Sequence, residues 1–100
     1  MIHAADLISV AKRVIWFEAP EKALHDPNRF LAYLMTYGTL EEVRVAKRYY
    51  SREDFEAVLD HPPAGIFDPK SWNYWNVVFG REPVPPLPTR VIPDEPSQPR

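Results

Sequence analysis

The chain has 100 residues, of which 45% are hydrophobic and 13% aromatic, so it is long enough for one domain with its own core. It contains no cysteine, which excludes disulfide bridges, thiolate zinc sites and thiol catalysis. Its formal net charge of −2 disfavours an autonomous nucleic-acid-binding protein, because such proteins usually carry a basic patch.

The first predicted element is an amphipathic helix over residues 4–16. The apolar side chains that share one face at steps of three or four are Leu7, Val10, Val14 and Phe17. Pro20 ends this helix, and residues 21–25 can add one helical turn. Charged residues interrupt the segment, so we expect neither a signal peptide nor a membrane span. A cytoplasmic location fits the absence of cysteine.

A second helix is predicted from Asp26-Pro27 to Tyr37. Asp26 supplies a side-chain acceptor at the N-cap, and proline at the first helical position loses no hydrogen bond. The helix is apolar around most of its circumference, so we expect it to be central and buried. Gly38 is expected to end it with a positive φ.

Two capping patterns predict the next two helices. Thr39 with Glu42 opens a helix to Tyr49 or Tyr50, and Ser51 with Asp54 opens a short acidic helix. The inward stripe predicted for the first of them consists of Leu40, Val43, Ala46 and Tyr50. The prolines at positions 62 and 63 close the second.

The last predicted helix runs from Lys70 to Phe79, after Asp68-Pro69 and before Gly80. Trp72, Trp75 and Phe79 share a face, whereas Tyr74 is expected to be exposed. Seven prolines follow within residues 83–100 and favour an extended backbone. We therefore predict an all-α fold: a small bundle of about five helices over residues 1–82, with an extended proline-rich C-terminal tail over residues 83–100.

The candidate catalytic and metal-binding residues give little support to an enzyme. Acidic residues are grouped in the helix that follows Ser51, but a solvated face explains them better than a metal site because no second ligand motif accompanies them. The three histidines are isolated, and no glycine-rich loop or nucleophile elbow is present. We expect no catalysis and no cofactor.

A helix-turn-helix is the alternative interpretation of residues 40–60. Its candidate nucleic-acid contacts are Arg44, Lys47, Arg48 and Arg52. The second helix of this pair is acidic, and like charge would repel the DNA backbone. An ordinary helix pair with a cationic exposed side is the simpler interpretation.

The exposed aromatic residue and the proline-rich tail favour protein binding instead. Exposed aromatic side chains are typical anchors of protein interfaces. The predicted partner contacts are Glu53, Asp54, Glu56, Tyr74, Val84, Leu87, Arg90 and Ile92. A further alternative is a scaffold domain whose segment P-V-P-P-L-P, residues 83–88, feeds an aromatic groove.

Three stretches within residues 29–80 carry a family resemblance. They are R-F-L-A-Y-L-M-T-Y-G-T-L-E-E-V, Y-Y-S-R-E-D-F and D-P-K-S-W-N-Y-W-N-V-V-F-G. The chain resembles a bacterial family of small helical proteins often encoded beside AbiEii-type nucleotidyltransferase toxins. By analogy with those gene neighbours, the resemblance implies an antitoxin or accessory subunit that binds such a toxin. It carries over no catalytic residue.

Overall fold

The computed structural model describes residues 4–87 and is all-helical over that range. Its six helices are α1 (Ala5–Val14), α2 (Pro20–Leu24), α3 (Pro27–Tyr37), α4 (Leu40–Ala46), α5 (Arg52–Asp60) and α6 (Pro69–Val78). The predicted all-α fold is confirmed, and the extra turn that follows Pro20 is a short helix of its own. Residues 88–100, which include the predicted contacts Arg90 and Ile92, lie outside the described residues.

Four helices begin at the capping side chains that the sequence predicts. These are Asp26 for α3, Thr39 for α4, Ser51 for α5 and Asp68 for α6. Thr39 and Ser51 form complete capping boxes, in which Glu42 and Asp54 accept a hydrogen bond from the backbone N–H of the cap residue. Each N-cap of this kind contributes about 1 kcal/mol.

Helix α3 lies at the centre of the bundle and contacts all five other helices. Its buried side chains are Phe30, Leu31, Ala32, Leu34 and Met35. Around it pack Val10 and Val14 of α1, Phe55 and Val58 of α5, and the two tryptophans of α6. The prediction of a central, most buried helix is thus confirmed.

Helix α1 ends two residues earlier than predicted, and this changes which of the following side chains are buried. Ile15 has φ −126° and ψ 68°, so the chain leaves the helix there, and the Ile15 side chain is buried. Phe17 was predicted to face the core, which is wrong: it is 52% exposed. The three consecutive apolar residues from Ile15 to Phe17 cannot all point inward, and Ile15 takes the inward position.

Helix α4 is also shorter than predicted and ends at Ala46. Beyond it, Arg48 and Tyr49 donate backbone hydrogen bonds to the residues three before them, which makes a tight turn instead of a further α-helical turn. Leu40 was predicted to lie on the inward stripe, but it is 66% exposed. Val43 and Ala46 are buried as predicted, because they face α3 and α1.

Gly38 ends α3 for a different reason from the one predicted. Its φ is −77°, a value open to every residue, so positive φ is not required. An added Cβ would lie 2.5 Å from the carbonyl oxygen of Leu34 and 2.7 Å from its Cδ1. Close approach of the chain therefore selects glycine here, whereas Gly80 does adopt a positive φ of 73° after α6.

The proline-rich segment begins as part of the helical body. Over residues 83–87 it forms neither helix nor strand, and Val84 and Leu87 pack against the core. The indole N–H of Trp72 donates to the carbonyl oxygen of Pro85 at 2.8 Å. Part of the P-V-P-P-L-P segment thus packs on the helical core, with one hydrogen bond from α6.

We predict that the Phe30→Ala substitution lowers the free energy of unfolding by about 3–5 kcal/mol, since this fully buried ring leaves a cavity at the centre of the bundle. The change is measured by urea unfolding followed by circular dichroism. Trp16→Ala is the matched control, because its ring is 78% exposed and its loss should change stability by less than about 0.5 kcal/mol.

If Phe30→Ala does not fold, Ile15→Val tests the same core and should cost about 0.5–1.5 kcal/mol. Equal effects of the buried and the exposed substitutions would contradict the packing described here.

Candidate interaction surfaces

The acidic side chains of α5 are largely used inside the molecule. Asp54 caps the helix, and Glu56 accepts hydrogen bonds from Arg52 at 2.6 Å and Arg81 at 3.4 Å. Arg81 also donates to Asp60 at 2.6 Å. These hydrogen bonds hold the pKa of both Glu56 and Asp60 below its usual range.

Of the three acidic residues predicted to contact a partner, Glu53 alone has no ion pair or side-chain hydrogen bond within residues 4–87. The acidic side of α5 is therefore an ion-pair network in which arginines balance most of the charge.

The cationic residues of the alternative DNA-binding surface are also mostly paired. Arg44 lies 3.5 Å from Glu41, and Arg48 binds Asp6 at 2.9 Å. Arg52 binds Glu56, and its guanidinium lies over the ring of Phe79 at the end of α6. Only Lys47 of the four makes no ion pair with another residue in the described range. One side of both α4 and α5 is therefore covered by α3, and only the opposite side of this helix pair could face DNA.

The described part of the chain offers no assembled metal site. No group of three or more histidine, cysteine or carboxylate side chains is arranged to hold an ion within residues 4–87. The same residues include no helix with the length and apolar character needed to cross a bilayer.

A row of aromatic rings, of which all but the half-buried Tyr33 are exposed, lies beside the turn that follows α1. It consists of Trp16, Phe17, Tyr33 and Tyr37, hereafter the aromatic surface. Consecutive ring centroids are 5.5, 5.9 and 6.1 Å apart, so the rings form one continuous row. Trp16 is 78% exposed, and Phe17 and Tyr37 are each more than half exposed. Together with Arg13 and Val14 they line a cleft of about 400 Å³.

Two arginines hold the backbone and rings of the aromatic surface in place. Arg13 donates to both carboxylate oxygens of Glu42 and, at 2.8 Å, to the carbonyl oxygen of Tyr37. Arg29 donates to Glu18 at 2.7 Å and lies over the Tyr33 ring at 5.4 Å. These arginine hydrogen bonds hold the pKa of Glu42 and of Glu18 below the ordinary range.

The sequence prediction did not include the aromatic surface. It placed Phe17 on the core face because a regular helix was continued through Trp16. The available signal was the uninterrupted run Ile15-Trp16-Phe17 just before Pro20, since a helix with one face in water cannot point three consecutive large side chains at the core.

A second opening lies between α3, α4 and α6. This apolar groove of about 380 Å³ is lined by Met35, Thr36, Gly38, Leu40, Val43, Lys47, Lys70, Ser71, Tyr74, Trp75 and Val78. Tyr74 is 56% exposed, as predicted, and stands on the groove wall. The floor is fixed by Trp75, whose indole N–H donates to the carbonyl oxygen of Met35 at 2.8 Å.

The structure brings few of the predicted partner contacts together. Tyr74 lines the apolar groove, Glu53 is exposed on α5, and Val84 and Leu87 pack against the helical core.

Comparison with protein-family models, curated proteins and solved structures finds no match to this chain.

We predict that Arg13→Met lowers the free energy of unfolding at pH 7. The difference in this free energy between the variant and the wild type should narrow as the pH falls from 5 to 3. The folded-state pKa of Glu42 is depressed below its ordinary value of 4.5 mainly by hydrogen bonds from Arg13. Stability from this pair is therefore full above that value and is lost as the pH falls through the lower folded-state pKa. The midpoints of urea unfolding of the variant and the wild type at pH 7, 5, 4 and 3 measure this difference.

The matched control is Arg44→Met, which removes an exposed ion pair of 3.5 Å and should change stability little at any of these pH values. A gap between Arg13→Met and the wild type that stays constant down to pH 3 would contradict the assigned role of Glu42.

Proposed function

We propose that this chain is a cytoplasmic protein-binding domain without a catalytic role, and that it binds its partner through the aromatic surface. The observation that carries the proposal is the exposure of Trp16 at the end of a continuous row of rings. Contiguous exposed apolar patches on a small domain are typical of interaction sites.

The chemistry of the aromatic surface favours a protein partner. Tryptophan, tyrosine and arginine are the residues that contribute most to binding at protein interfaces, and all three types occur here. Arg13 and Arg29 fix the surrounding backbone and rings through ion pairs. A surface ordered in advance loses less conformational entropy when it binds.

The partner we propose is a nucleotidyltransferase-type toxin, for which this chain would be a bacterial antitoxin or accessory subunit. The resemblance over residues 29–80 supports this class of partner, and two rings of the aromatic surface, Tyr33 and Tyr37, fall within it. The pairing of Arg44, Arg48 and Arg52 with carboxylates favours this function over a DNA-binding regulator, which needs those cations for phosphates.

The test is co-expression of the full chain with a nucleotidyltransferase-type toxin from the same genome. We expect the two to co-purify and the chain to relieve the growth defect caused by the toxin. Trp16→Ala should weaken binding about 30-fold, the equivalent of about 2 kcal/mol, because an interface anchor is lost. Isothermal titration calorimetry measures the change.

Val77→Ala is the control, since it truncates another exposed apolar side chain that lies outside the aromatic surface and the apolar groove. It should bind within about twofold of the wild type. Absence of such a gene from the genome, or failure of its product to bind, would refute the class of partner. Binding that Trp16→Ala leaves unchanged would refute the aromatic surface as the interface.

A further inference from the structure

The apolar groove is a second surface with its own chemistry. Tyr74 and Val78 stand one helical turn apart on α6, and Leu40 faces them from the start of α4. All three are at least half exposed. Water therefore covers three large apolar side chains around a recess of about 380 Å³, a volume within the range of ligand-binding clefts.

The charge at the edge of this groove has one sign. Lys47 and Lys70 are the charged residues that line it, both are exposed, and neither makes an ion pair with a residue in 4–87. Arg44, Arg48 and Arg52 differ from them, because each has a side-chain nitrogen within 3.5 Å of a carboxylate oxygen. A ligand with carboxylates at its ends would find complementary charge at this edge.

The groove and the aromatic surface lie on different sides of the α3–α4 junction. Tyr37 lines the aromatic cleft, whereas the next residue, Gly38, lines the groove. The capping box of Thr39 and Glu42, held by Arg13, fixes the backbone between them. One partner segment in the groove therefore leaves the aromatic surface available to a second contact.

We propose that the apolar groove binds a short segment of a partner protein in which apolar side chains are flanked by carboxylates. The apolar side chains enter between Leu40, Tyr74 and Val78, and the carboxylates pair with Lys47 and Lys70. An amphipathic helix in a hydrophobic groove is a common mode of this kind, with anchors spaced by three or four residues. The proposal goes beyond the binding role assigned to the aromatic surface and does not depend on it.

The probes are two synthetic, fluorescein-labelled amphipathic peptides of about fourteen residues, a length that gives four helical turns. They share the same leucine positions, and one carries glutamate where the other carries lysine. Fluorescence anisotropy with the full chain measures their affinities at low salt and at about 0.5 M salt. We expect the acidic peptide to bind about three- to tenfold more tightly at low salt, and the difference to shrink at high salt.

The double variant Lys47→Glu/Lys70→Glu should reverse this preference. Its matched control, Lys12→Glu/Lys22→Glu, changes the net charge equally at exposed positions outside the groove and should keep the preference. Tyr74→Ala should weaken both peptides together, because it removes an apolar contact that they share. Trp16→Ala should change neither, which separates this result from the test of the aromatic surface.

Three outcomes would overturn the proposal. The first is equal affinity for the two peptides, or the same change in both double variants. The second is peptide binding that occurs only after residues 88–100 are removed, which would assign the groove to the chain's own C-terminal segment. The third is a dimer, seen by light scattering, that Tyr74→Ala dissolves, which would assign the groove to a second copy.

Discussion

The central position of α3, in contact with all five other helices, is the constraint on which the rest of the structure depends. Because its side chains are apolar around most of its circumference, every other helix has to cover part of it. The C-terminal half of α3 then contributes to both exposed surfaces, with Tyr33 and Tyr37 on one side and Met35 and Thr36 on the other. The two candidate interfaces are thus built on the central helix of the molecule.

Ion pairs add contacts between distant parts of the chain to those made by the small core. A domain of this size buries a limited share of its surface, so contacts between distant parts of the chain matter. Arg13 ties α1 to the α3–α4 junction, and Arg81 ties the end of α6 to α5. The same two arginines balance acidic side chains that α4 and α5 would otherwise present. The apolar side chains left exposed are therefore the surfaces most available to a partner.

Local signals in the sequence predicted much of the fold, because caps act within four residues. Asp26, Thr39, Ser51 and Asp68 each open a helix by the expected hydrogen bond. Tyr74 was also predicted to be exposed, since it lies off the face shared by the tryptophans. The exposed Trp16 was missed, because periodicity does not mark where an uncapped helix ends.

Long-range pairing explains the other differences between prediction and structure. Glu56 and Asp60 were predicted as an open acidic face, yet Arg81 lies more than twenty residues away in sequence and binds both. Such partners follow from the packing of helices and cannot be found by inspecting one helix alone.

The central claim, that the aromatic surface is the interface, is tested most directly at Trp16 in the assembled complex. With 5-fluorotryptophan in this chain alone, fluorine NMR in H₂O and D₂O distinguishes exposed Trp16 from buried Trp72 and Trp75. We predict that the Trp16 resonance alone has a large solvent isotope shift, and that this shift is lost when the proposed nucleotidyltransferase partner binds. A Trp16 resonance that keeps its position and its isotope shift in the complex would contradict the account.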